Sequence, residues 1–295
     1  MTQILDGKQL ALQIKGELAT EVRTLTANGR RAPHLAAVLV GDDGASQTYV
    51  ASKEKSSLEV GFTSSVYRYP ETMTEGELLD VIQFLNNDDD IDGFIVQLPL
   101  PKHIDEQKVI NAISPEKDVD GFTPINIGRM VLGQDAFIPA TPKGIVTLLQ
   151  RYNIETSGKH CVVIGRSNIV GTPIANLMSR NASWANCTVT LCHSRTQNLT
   201  TLTREADILI VAIGKPEFIT ADMVKPDAVL IDVGIHRIPD SSRKSGYHIC
   251  GDVQHEQVDS KCSWVTPVPG GVGPLTIVSL LQNTMMAYKR QFKIS

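Results

Sequence analysis

The sequence predicts an α/β protein of two domains, each built on a parallel sheet that helices cover on both faces. Short apolar runs alternate with segments of helical periodicity, which is typical of repeated βαβ units. A second series of the same kind begins after "ATPKG" at residues 140–144. With 295 residues, the chain is long enough for two domains of about 100–200 residues each. We therefore expect a hinge near residues 140–150 and a cleft between the domains.

The first domain, residues 1–140, begins with a predicted helix that ends at "ANGR". Five apolar residues at helical spacing define this helix: Leu10, Ile14, Leu18, Val22 and Leu25. The run "HLAAVLVG" (34–41) is short, apolar and ends in glycine, as a buried parallel strand does. The elements that follow alternate in type, with strands expected at 64–69 and 93–100 and helices at 46–60, 74–87 and 105–113. This order predicts a three-layer α/β domain.

The second domain, residues 141–275, opens with a predicted helix at 143–152. Four strand-like apolar runs follow, at 160–165, 187–192, 207–214 and 228–235, and a helix is expected after the first of them, at 171–181. An amphipathic helix closes the chain at 276–295. We expect that final helix to pack back on the first domain.

A loop with two glycines, "GRSNIVGTP" (165–173), directly follows the first strand of the second domain. Gly165 ends the strand and Gly171 begins the helix, an arrangement that suits a phosphate at a helix N-terminus. The loop lacks the compact G-x-G-x-x-G spacing, so an ordinary tight turn is the alternative.

The end of the next strand favours a dinucleotide. "CHSRT" places His193, Ser194 and Arg195 where the adenosine ribose of a dinucleotide would lie. NAD enzymes commonly carry an acidic residue there, whereas hydroxyls and a cation, with Arg166 nearby, suit a 2′-phosphate. The sequence therefore predicts a Rossmann-type domain that binds NADP. The segment "VAIGKP" (211–216) is expected to form a wall beside the nicotinamide.

Tyr49 and Lys53 are four residues apart, which is the catalytic spacing of the short-chain dehydrogenases. In those enzymes the pair follows the nucleotide loop within a single domain. Here the pair precedes the loop and lies in the other domain. That class of enzyme is therefore excluded, and the pair needs another explanation.

Polar residues interrupt the apolar pattern of the first domain at three places. Lys53 lies on the helix at 46–60, Gln97 lies at the carboxyl end of a buried strand, and Asp118 and Asp120 lie in "PEKDVDGFTPIN". The carboxyl ends of parallel strands are where α/β sheets bind ligands. Taken singly, a helical lysine is usually solvated and "DVDG" is usually a turn. Calcium is disfavoured because the EF-hand oxygen spacing is absent.

Composition excludes several classes of function. The chain has 28 basic and 32 acidic residues, so it lacks the basic excess of a nucleic-acid-binding protein. We find neither an apolar run long enough to span a membrane nor a signal sequence. The five cysteines are odd in number and lie mostly in apolar runs, which favours reduced thiols over a zinc site or a disulfide frame. We therefore expect a soluble cytoplasmic protein without a metal.

Seven blocks extend over essentially the whole chain: "SQTYVASKEK", "DGFIVQLPLP", "PEKDVDGFTPINIGR", "FIPATPKG", "VIGRSNIVGTP", "CHSRT" and "PVPGGVGP". In order and spacing they resemble the methylenetetrahydrofolate dehydrogenase/methenyltetrahydrofolate cyclohydrolase family, the bifunctional FolD type. Two residues depart from the family pattern. Ala140 stands where a cysteine is expected, and Leu275 stands where Met or Phe is more usual. The family gives neither position a catalytic role.

The resemblance implies an enzyme that oxidises 5,10-methylenetetrahydrofolate to the methenyl cation, passing hydride to NADP, and then hydrolyses the cation to 10-formyltetrahydrofolate. Lys53 would be the general acid/base of the hydrolysis, and Gln97 would orient it without holding it charged. Tyr49 would stack on the aminobenzoyl ring of the folate, and Asp120 would accept hydrogen bonds from the pterin. Asp118 is expected to brace its loop. The resemblance also implies a homodimer formed through the nucleotide domain.

Further contact residues are implied by the same resemblance. Those for the folate are Ser46, Tyr49, Leu98, Pro99, Asp120, Pro269, Gly270 and Gly271. Those for NADP are Gly165, Arg166, Ser167, His193, Ser194, Arg195, Ile235, Gly273 and Thr276. Glycines and prolines suit these roles because they let the backbone approach a ligand closely while keeping it stiff.

Two other functions stay open on the residues alone. A two-domain dehydrogenase of a small hydroxy or amino acid would share the cleft, but it needs an arginine clamp for the substrate carboxylate, and we can assign none. A dinucleotide-binding regulatory protein would carry out no reaction. Loss of hydrolysis in a Lys53→Ala variant distinguishes an enzyme from such a regulator.

Overall fold

A computed structural model describes residues 1–243 and 246–294. In chain order the strands are β1 (Gln3–Ile4), β2 (His34–Val40), β3 (Thr63–Tyr69), β4 (Gly93–Val96), β5 (His160–Ile164), β6 (Thr188–Cys192), β7 (Ile208–Val211), β8 (Val229–Asp232), β9 (His236–Pro239), β10 (Tyr247–Cys250) and β11 (Trp264–Val265). The helices are α1 (Gly7–Ala27), α2 (Gly44–Glu59), α3 (Glu75–Asn87), α4 (Glu106–Ala112), α5 (Pro124–Val131), α6 (Ala140–Arg151), α7 (Gly171–Met178), α8 (Leu199–Arg204), α9 (His255–Val258) and α10 (Val272–Phe292).

The chain divides into two compact units, named here by their sheets. The three-stranded unit comprises Leu12–Ala140 and the chain from Ile277 onward, and the six-stranded unit comprises Met1–Ala11 and Thr141–Thr276. The prediction of two α/β domains with parallel sheets is therefore confirmed. None of the described helices combines the length and the apolar character that a membrane span needs.

The three-stranded unit has the strand order β3–β2–β4, and all its strands are parallel. Its core lies where Val38 and Phe94 of the sheet join a cluster with Leu78 and Ile82 of α3. The sequence predicted a longer last strand, at 93–100, but β4 ends at Val96. Prolines follow at positions 99 and 101, and a proline has no N–H to donate to a sheet.

The six-stranded unit has the strand order β1–β11–β8–β7–β5–β6, again with every pairing parallel. Val162, Leu209 and Leu230 are fully buried on its central strands. An antiparallel hairpin of β9 and β10 stands apart from this sheet. The sequence prediction missed the hairpin and also the two-residue strands β1 and β11, because two residues are too few to show periodicity.

The first residues of the chain, which the sequence analysis includes in a domain of residues 1–140, pair with the six-stranded sheet. Met1–Ala11 belong to the six-stranded unit. The reason is the pairing of β1 with β11 at the edge of the six-stranded sheet. The backbone N–H of Lys8 also donates to the carbonyl of Gly270, at 2.8 Å. These partners lie more than two hundred residues away along the chain. The pairing of the first residues with this sheet therefore has no local signal in the sequence.

The final helix, α10, contributes most of its length to the three-stranded unit. The buried Asn283 donates from Nδ2 to the carbonyls of Val119 (2.8 Å) and Ile138 (3.0 Å). The hydroxyl of Tyr288 donates to the carbonyl of Arg31, whose guanidinium lies 5.3 Å from the centroid of the Tyr288 ring. Specific polar contacts as well as apolar packing therefore hold α10 in this unit.

We expect Asn283→Ala to lower the free energy of unfolding by about 2–4 kcal/mol, because it leaves two buried carbonyls without this donor and opens a small cavity. Thermal or denaturant unfolding measures the change. Asn28→Ala, an exposed amide at the end of α1 in the same unit, is the matched control and should change stability by less than about 0.5 kcal/mol. Equal stability of the two variants would show that these hydrogen bonds do not hold α10.

In each unit, the strand that pairs with one edge strand and one further strand begins with a histidine, and the two histidines make the same set of contacts. In the three-stranded unit, the N–H of His34 donates to Asp92 Oδ2 (2.7 Å). Its ring Nδ1 lies 3.1 Å from the carbonyl of Asp90, and Nε2 lies 2.9 Å from Ser65 Oγ. The ring therefore ties β2 to edge strand β3 and to the turn before β4.

In the six-stranded unit, the N–H of His160 donates to Asp207 Oδ2 (2.9 Å). Its Nδ1 lies 3.3 Å from the carbonyl of Glu205, and its Nε2 lies 2.9 Å from Thr190 Oγ1. Both histidines stand at the amino end of an interior strand, opposite the carboxyl end where α/β sheets bind ligands. Their role is to join neighbouring strands, and they are not candidates for catalysis.

Candidate active site

Lys53 and Gln97 meet at the carboxyl end of the three-stranded sheet. Lys53 lies on the third turn of α2, and its Nζ donates to Gln97 Oε1 at 3.1 Å. Gln97 directly follows β4, and its backbone N–H still donates to the carbonyl of Val38 (2.9 Å). Its side-chain Nε2 donates to the carbonyl of Leu98 (2.7 Å). Both ends of the amide are therefore held, and its oxygen is directed at the lysine.

The surroundings of Lys53 disfavour its protonated, positively charged form. Burial lowers the pKa of Lys53, and the nearby Asp120 raises it only in part, so the pKa lies below its usual value. Burial likewise raises the pKa of Asp120, an effect that Lys53 reduces and Asp118 strengthens. A lysine with a lowered pKa carries a larger neutral fraction near neutral pH, as a proton acceptor must.

The loop that carries Asp120 is organised around Asp118. The buried Asp118 carboxylate accepts hydrogen bonds from the backbone N–H groups of Gly121 (3.0 Å), Phe122 (3.1 Å) and Thr123 (2.8 Å). It also accepts from Asn126 Nδ2 at 2.9 Å. Asp118 therefore braces the loop, whereas Asp120 is half-buried.

The other predicted folate residues of this unit differ in exposure. Tyr49 is 44% exposed and lies one helical turn from Lys53, on the same face of α2. Ser46 is buried in the first turn of α2, where its backbone N–H donates to the N-cap residue Asp43 (2.7 Å). Leu98 is half-buried and Pro99 is exposed. Tyr49 is therefore the residue of this group with a large apolar face open to a ligand.

The predicted nucleotide residues converge on a pocket of about 280 Å³ in the six-stranded unit. Five of them line it: Gly165, Arg166, Ser167, His193 and Ser194. Lys215 and Phe218 line it as well, with Lys215 Nζ 5.5 Å from the centroid of the Phe218 ring. Lys215 belongs to the segment 211–216 that was expected beside the nicotinamide, whereas sequence reasoning missed Phe218, which follows in a segment without regular periodicity.

The turn from β5 to α7 requires both of its glycines. Gly165 has φ +116°, a backbone conformation that residues other than glycine rarely adopt. A Cβ atom there would also overlap the carbonyl oxygen of Ala212. A Cβ atom on Gly171 would overlap the carbonyl of Gly165. Ser167 Oγ accepts from the N–H groups of Val170 (3.2 Å) and Gly171 (3.3 Å) at the start of α7. The turn thus brings a hydroxyl and the N-terminus of a helix to the same pocket.

After β6 the chain turns back on itself. The N–H of His193 donates to Thr196 Oγ1 (2.8 Å), and the N–H of Arg195 donates to His193 Nδ1 (3.1 Å). His193 therefore carries its proton on Nε2, the nitrogen that remains for other partners. Arg195 is exposed and lies outside the lining of the pocket, although Ser194 lies within it.

The glycine loop before α10 is held by the start of the chain. The N–H of Gly271 donates to the carbonyl of Pro267 (2.8 Å), and a Cβ atom on Gly7 would overlap the carbonyl of Gly271. Gly270 has φ +112°. Pro269, Gly270 and Gly271 thus belong to the six-stranded unit, while the other predicted folate residues belong to the three-stranded unit.

The last predicted cofactor residues also lie in the six-stranded unit. A Cβ atom on Gly273 would lie 3.2 Å from Cδ1 of the exposed Ile235. Thr276 Oγ1 lies 2.9 Å from Thr141 Oγ1. The five cysteines are free thiols. Within the described parts of the chain, no group of three or more His, Cys, Asp or Glu side chains is placed to hold a metal ion.

Comparison with known proteins gives consistent matches over nearly the whole chain. The family model "Tetrahydrofolate dehydrogenase/cyclohydrolase, catalytic domain" matches residues 5–120, and the corresponding "NAD(P)-binding domain" model matches residues 139–292. The bifunctional protein FolD of Porphyromonas gingivalis is 58% identical over 291 residues, which cover 99% of this chain and 98% of the relative.

Two solved structures extend the comparison. The bifunctional FolD methylenetetrahydrofolate dehydrogenase/cyclohydrolase of Campylobacter jejuni is 46% identical, with a TM-score of 0.92 over 98% of this chain and 99% of that one. The FolD of Trypanosoma brucei, complexed with NADP cofactor and inhibitor, is 34% identical, with a TM-score of 0.94 over 99% of each chain.

Proposed function

The chain belongs to the tetrahydrofolate dehydrogenase/cyclohydrolase family, and from that premise we propose that Lys53, oriented by Gln97, is the group that moves protons in its hydrolytic reaction. The protein is a bifunctional FolD enzyme of one-carbon folate metabolism. It oxidises 5,10-methylenetetrahydrofolate to 5,10-methenyltetrahydrofolate with NADP and hydrolyses the product to 10-formyltetrahydrofolate.

The lining of the nucleotide pocket supports NADP. The lining contains two cations, Arg166 and Lys215, and the hydroxyls of Ser167 and Ser194. Among the described residues that line the pocket, none carries a carboxylate. These donors suit a 2′-phosphate, which an acidic residue would repel. When bound, NADP accepts the hydride. The residues of the pocket bind the cofactor and orient it, and they supply no acid or base to the oxidation.

The single observation that carries the proposal for the hydrolysis is the Lys53–Gln97 hydrogen bond beside Asp120. A water molecule must attack the methenyl carbon and lose a proton, and a C–N bond must then open. Neutral Lys53 accepts that proton and returns it to the nitrogen that leaves as the C–N bond opens, while the hydroxyl proton of the adduct passes to water as the formyl carbonyl forms. Gln97 orients the amine through a neutral oxygen, so it does not add a negative charge that would hold the lysine protonated.

Asp120 and Tyr49 bind the folate, the first at its pterin and the second at its aminobenzoyl ring. The Asp120 carboxylate accepts from the 2-amino group and the ring N–H of the pterin, a pair of donors that a carboxylate matches well. Tyr49 stacks its exposed ring on the aminobenzoyl ring. We also propose, from the family resemblance, that the protein acts in the cytoplasm as a homodimer formed through the six-stranded unit. Light scattering on the purified protein tests the dimer.

Paired assays of the purified protein test the proposed function. Folate-dependent reduction of NADP reports the oxidation, and disappearance of methenyltetrahydrofolate without NADP reports the hydrolysis. Comparing kcat/KM for NADP and NAD tests the role of the cationic pocket. A preference for NAD would refute the roles proposed for Arg166 and Ser194.

Gln97→Glu tests why this position is neutral. A carboxylate beside Lys53 raises the lysine pKa by about 1–3 units, so we expect hydrolysis at pH 7 to fall about 10- to 100-fold and to rise with pH more than in the wild type. The pH profile of the enzymatic rate, corrected for the spontaneous reaction, measures the shift. Gln107→Glu introduces the same charge on the exposed side of α4 and should leave the profile unchanged. An unchanged profile for Gln97→Glu would contradict the role of Lys53 as a base.

A further inference from the structure

Two buried carboxylates in the six-stranded unit have no part in the reaction described above. Asp232 ends β8 and is 1% exposed, and Asp252 follows β10 and is 0% exposed. Buried carboxylates are costly unless they are fully hydrogen-bonded, so their contacts indicate what they hold in place.

Asp232 joins the end of β8 to the segment after β10. Its Oδ1 accepts from the backbone N–H groups of Gly234 (2.8 Å) and Asp252 (3.0 Å). Its Oδ2 accepts from the N–H of Val253 (3.0 Å) and lies 3.1 Å from His255 Nε2. Burial disfavours a charge on His255, but hydrogen bonds to Asp232 and Asp259 outweigh it and raise the His255 pKa to about 9. Asp232 is thus balanced by a histidine cation.

Asp252 joins the loop after β7 to the start of β9. Its Oδ2 accepts from the N–H groups of Ile213 (2.8 Å) and Gly214 (3.0 Å). Its Oδ1 lies 2.7 Å from His236 Nε2. One carboxylate therefore fixes two consecutive amides of a turn that no strand pairing holds.

The two carboxylates also fit against glycines of each other's segment. A Cβ atom on Gly234 would lie 2.5 Å from Asp252 Oδ1, and one on Gly251 would overlap Asp232 Oδ2. Each carboxylate thus occupies the space that a side chain would take on the neighbouring segment. The arrangement is reciprocal, so displacing one carboxylate disturbs the segment that holds the other.

The segments held in this way carry ligand-facing residues. Ile213 and Lys215 line the nucleotide pocket together with Gly165 and Arg166. Ile235, between Gly234 and His236, is exposed and contacts Gly273. We infer that Asp252 is a positioning residue for the cofactor, which acts by fixing the turn at Ile213–Gly214. Asp232 in turn holds Asp252 in place by accepting a hydrogen bond from its backbone N–H. This inference rests on the proposed cofactor site.

Asp252→Ala tests the inference. Two pocket amides lose a charged acceptor, so we expect the KM for NADP to rise about tenfold while kcat changes less than about threefold. Hydrolysis of methenyltetrahydrofolate, assayed without NADP, should stay within about twofold of the wild type. Direct titration with NADP measures the same loss without the reaction. Asp222→Ala, which removes an exposed carboxylate of the same unit, is the matched control and should change neither activity.

Asp252→Asn should restore cofactor affinity to a large extent, because its amide oxygen can still accept from both backbone N–H groups while its Nδ2 faces His236. His236→Phe leaves Asp252 in place without its histidine partner and should raise the KM for NADP by about threefold. That variant keeps the inference testable if Asp252→Ala does not fold.

Two results would overturn the inference. One is a normal KM for NADP in both Asp252→Ala and His236→Phe. The other is an equal loss of both activities that Asp252→Asn does not repair, which indicates a general structural role. Failure of the proposed function has a different signature, because the wild type itself would then fail to reduce NADP with methylenetetrahydrofolate.

Discussion

Lys53→Ala is expected to lose hydrolysis of methenyltetrahydrofolate by about 10³-fold, the usual contribution of a general acid/base. The amine is the group that Gln97 orients, and burial already favours its neutral form. NADP affinity should be unchanged, because the nucleotide pocket lies in the other unit. The oxidation should fall much less, since the methenyl cation is delocalised over two nitrogens and needs little acid–base help.

The same helix offers a matched control. Lys55 is two residues further along α2, its side chain is 78% exposed, and its Nζ lies 3.9 Å from Glu59. Lys55→Ala should therefore keep both activities. Lys53→Arg separates charge from proton transfer, because arginine remains protonated at every pH of the assay. Hydrolysis at the normal rate in Lys53→Ala would refute the mechanism, and substantial hydrolysis in Lys53→Arg would show that the positive charge alone suffices.

The spacing of Tyr49 and Lys53 shows what sequence patterns can and cannot establish. The pair matches a known dehydrogenase motif, but its position before the nucleotide loop excludes that reading. The family resemblance implies that Gln97 orients Lys53, whereas the residues alone place Gln97 at the carboxyl end of a buried strand, where α/β sheets bind ligands. The structure brings these two side chains together. It also gives Asp118 hydrogen bonds that brace its loop, which is the role expected of this residue alongside the family resemblance.

Features that depend on distant pairing could not be predicted. Asp252 reaches the turn at Ile213–Gly214, and Gly7 fits against Gly271, only because the fold brings separate segments together. Neither residue stands out in its own stretch of sequence. The same reasoning explains why the pairing of the first residues with the six-stranded sheet has no signal in the sequence. A strand of two residues carries no periodicity, and its partner β11 is equally short.

The two units follow the same design around their ligand sites. Each has an interior strand whose first residue is a histidine, which bonds to an aspartate just before one neighbouring strand and to a hydroxyl on the edge strand. Each places its candidate ligand residues at the opposite end of the sheet. The histidines keep the strands in register at the amino ends of the sheets. At the carboxyl ends, a small number of side chains distinguish folate from nucleotide.

Gly165→Ala is expected to have the largest effect on the cofactor. The new methyl group overlaps the carbonyl of Ala212, a backbone atom that cannot move without shifting the chain after β7, and φ +116° is itself unfavourable for alanine. We expect the Kd for NADP to rise by about 100-fold and the free energy of unfolding to fall by about 2–3 kcal/mol. Fluorescence titration with NADPH and thermal unfolding measure these effects.

Hydrolysis distinguishes a local change from a general loss of structure in that variant. Lys53 and Gln97 lie in the three-stranded unit, so Gly165→Ala should hydrolyse methenyltetrahydrofolate at close to the normal rate while its NADP reduction is lost. Gly158→Ala is the matched control: Gly158 has φ +73° in the same unit, but a Cβ atom there meets nothing within 4 Å. That variant should show only the backbone cost, about 1 kcal/mol, with normal NADP binding. If Gly165→Ala bound NADP as Gly158→Ala does, close approach at this turn would not be what the cofactor site requires.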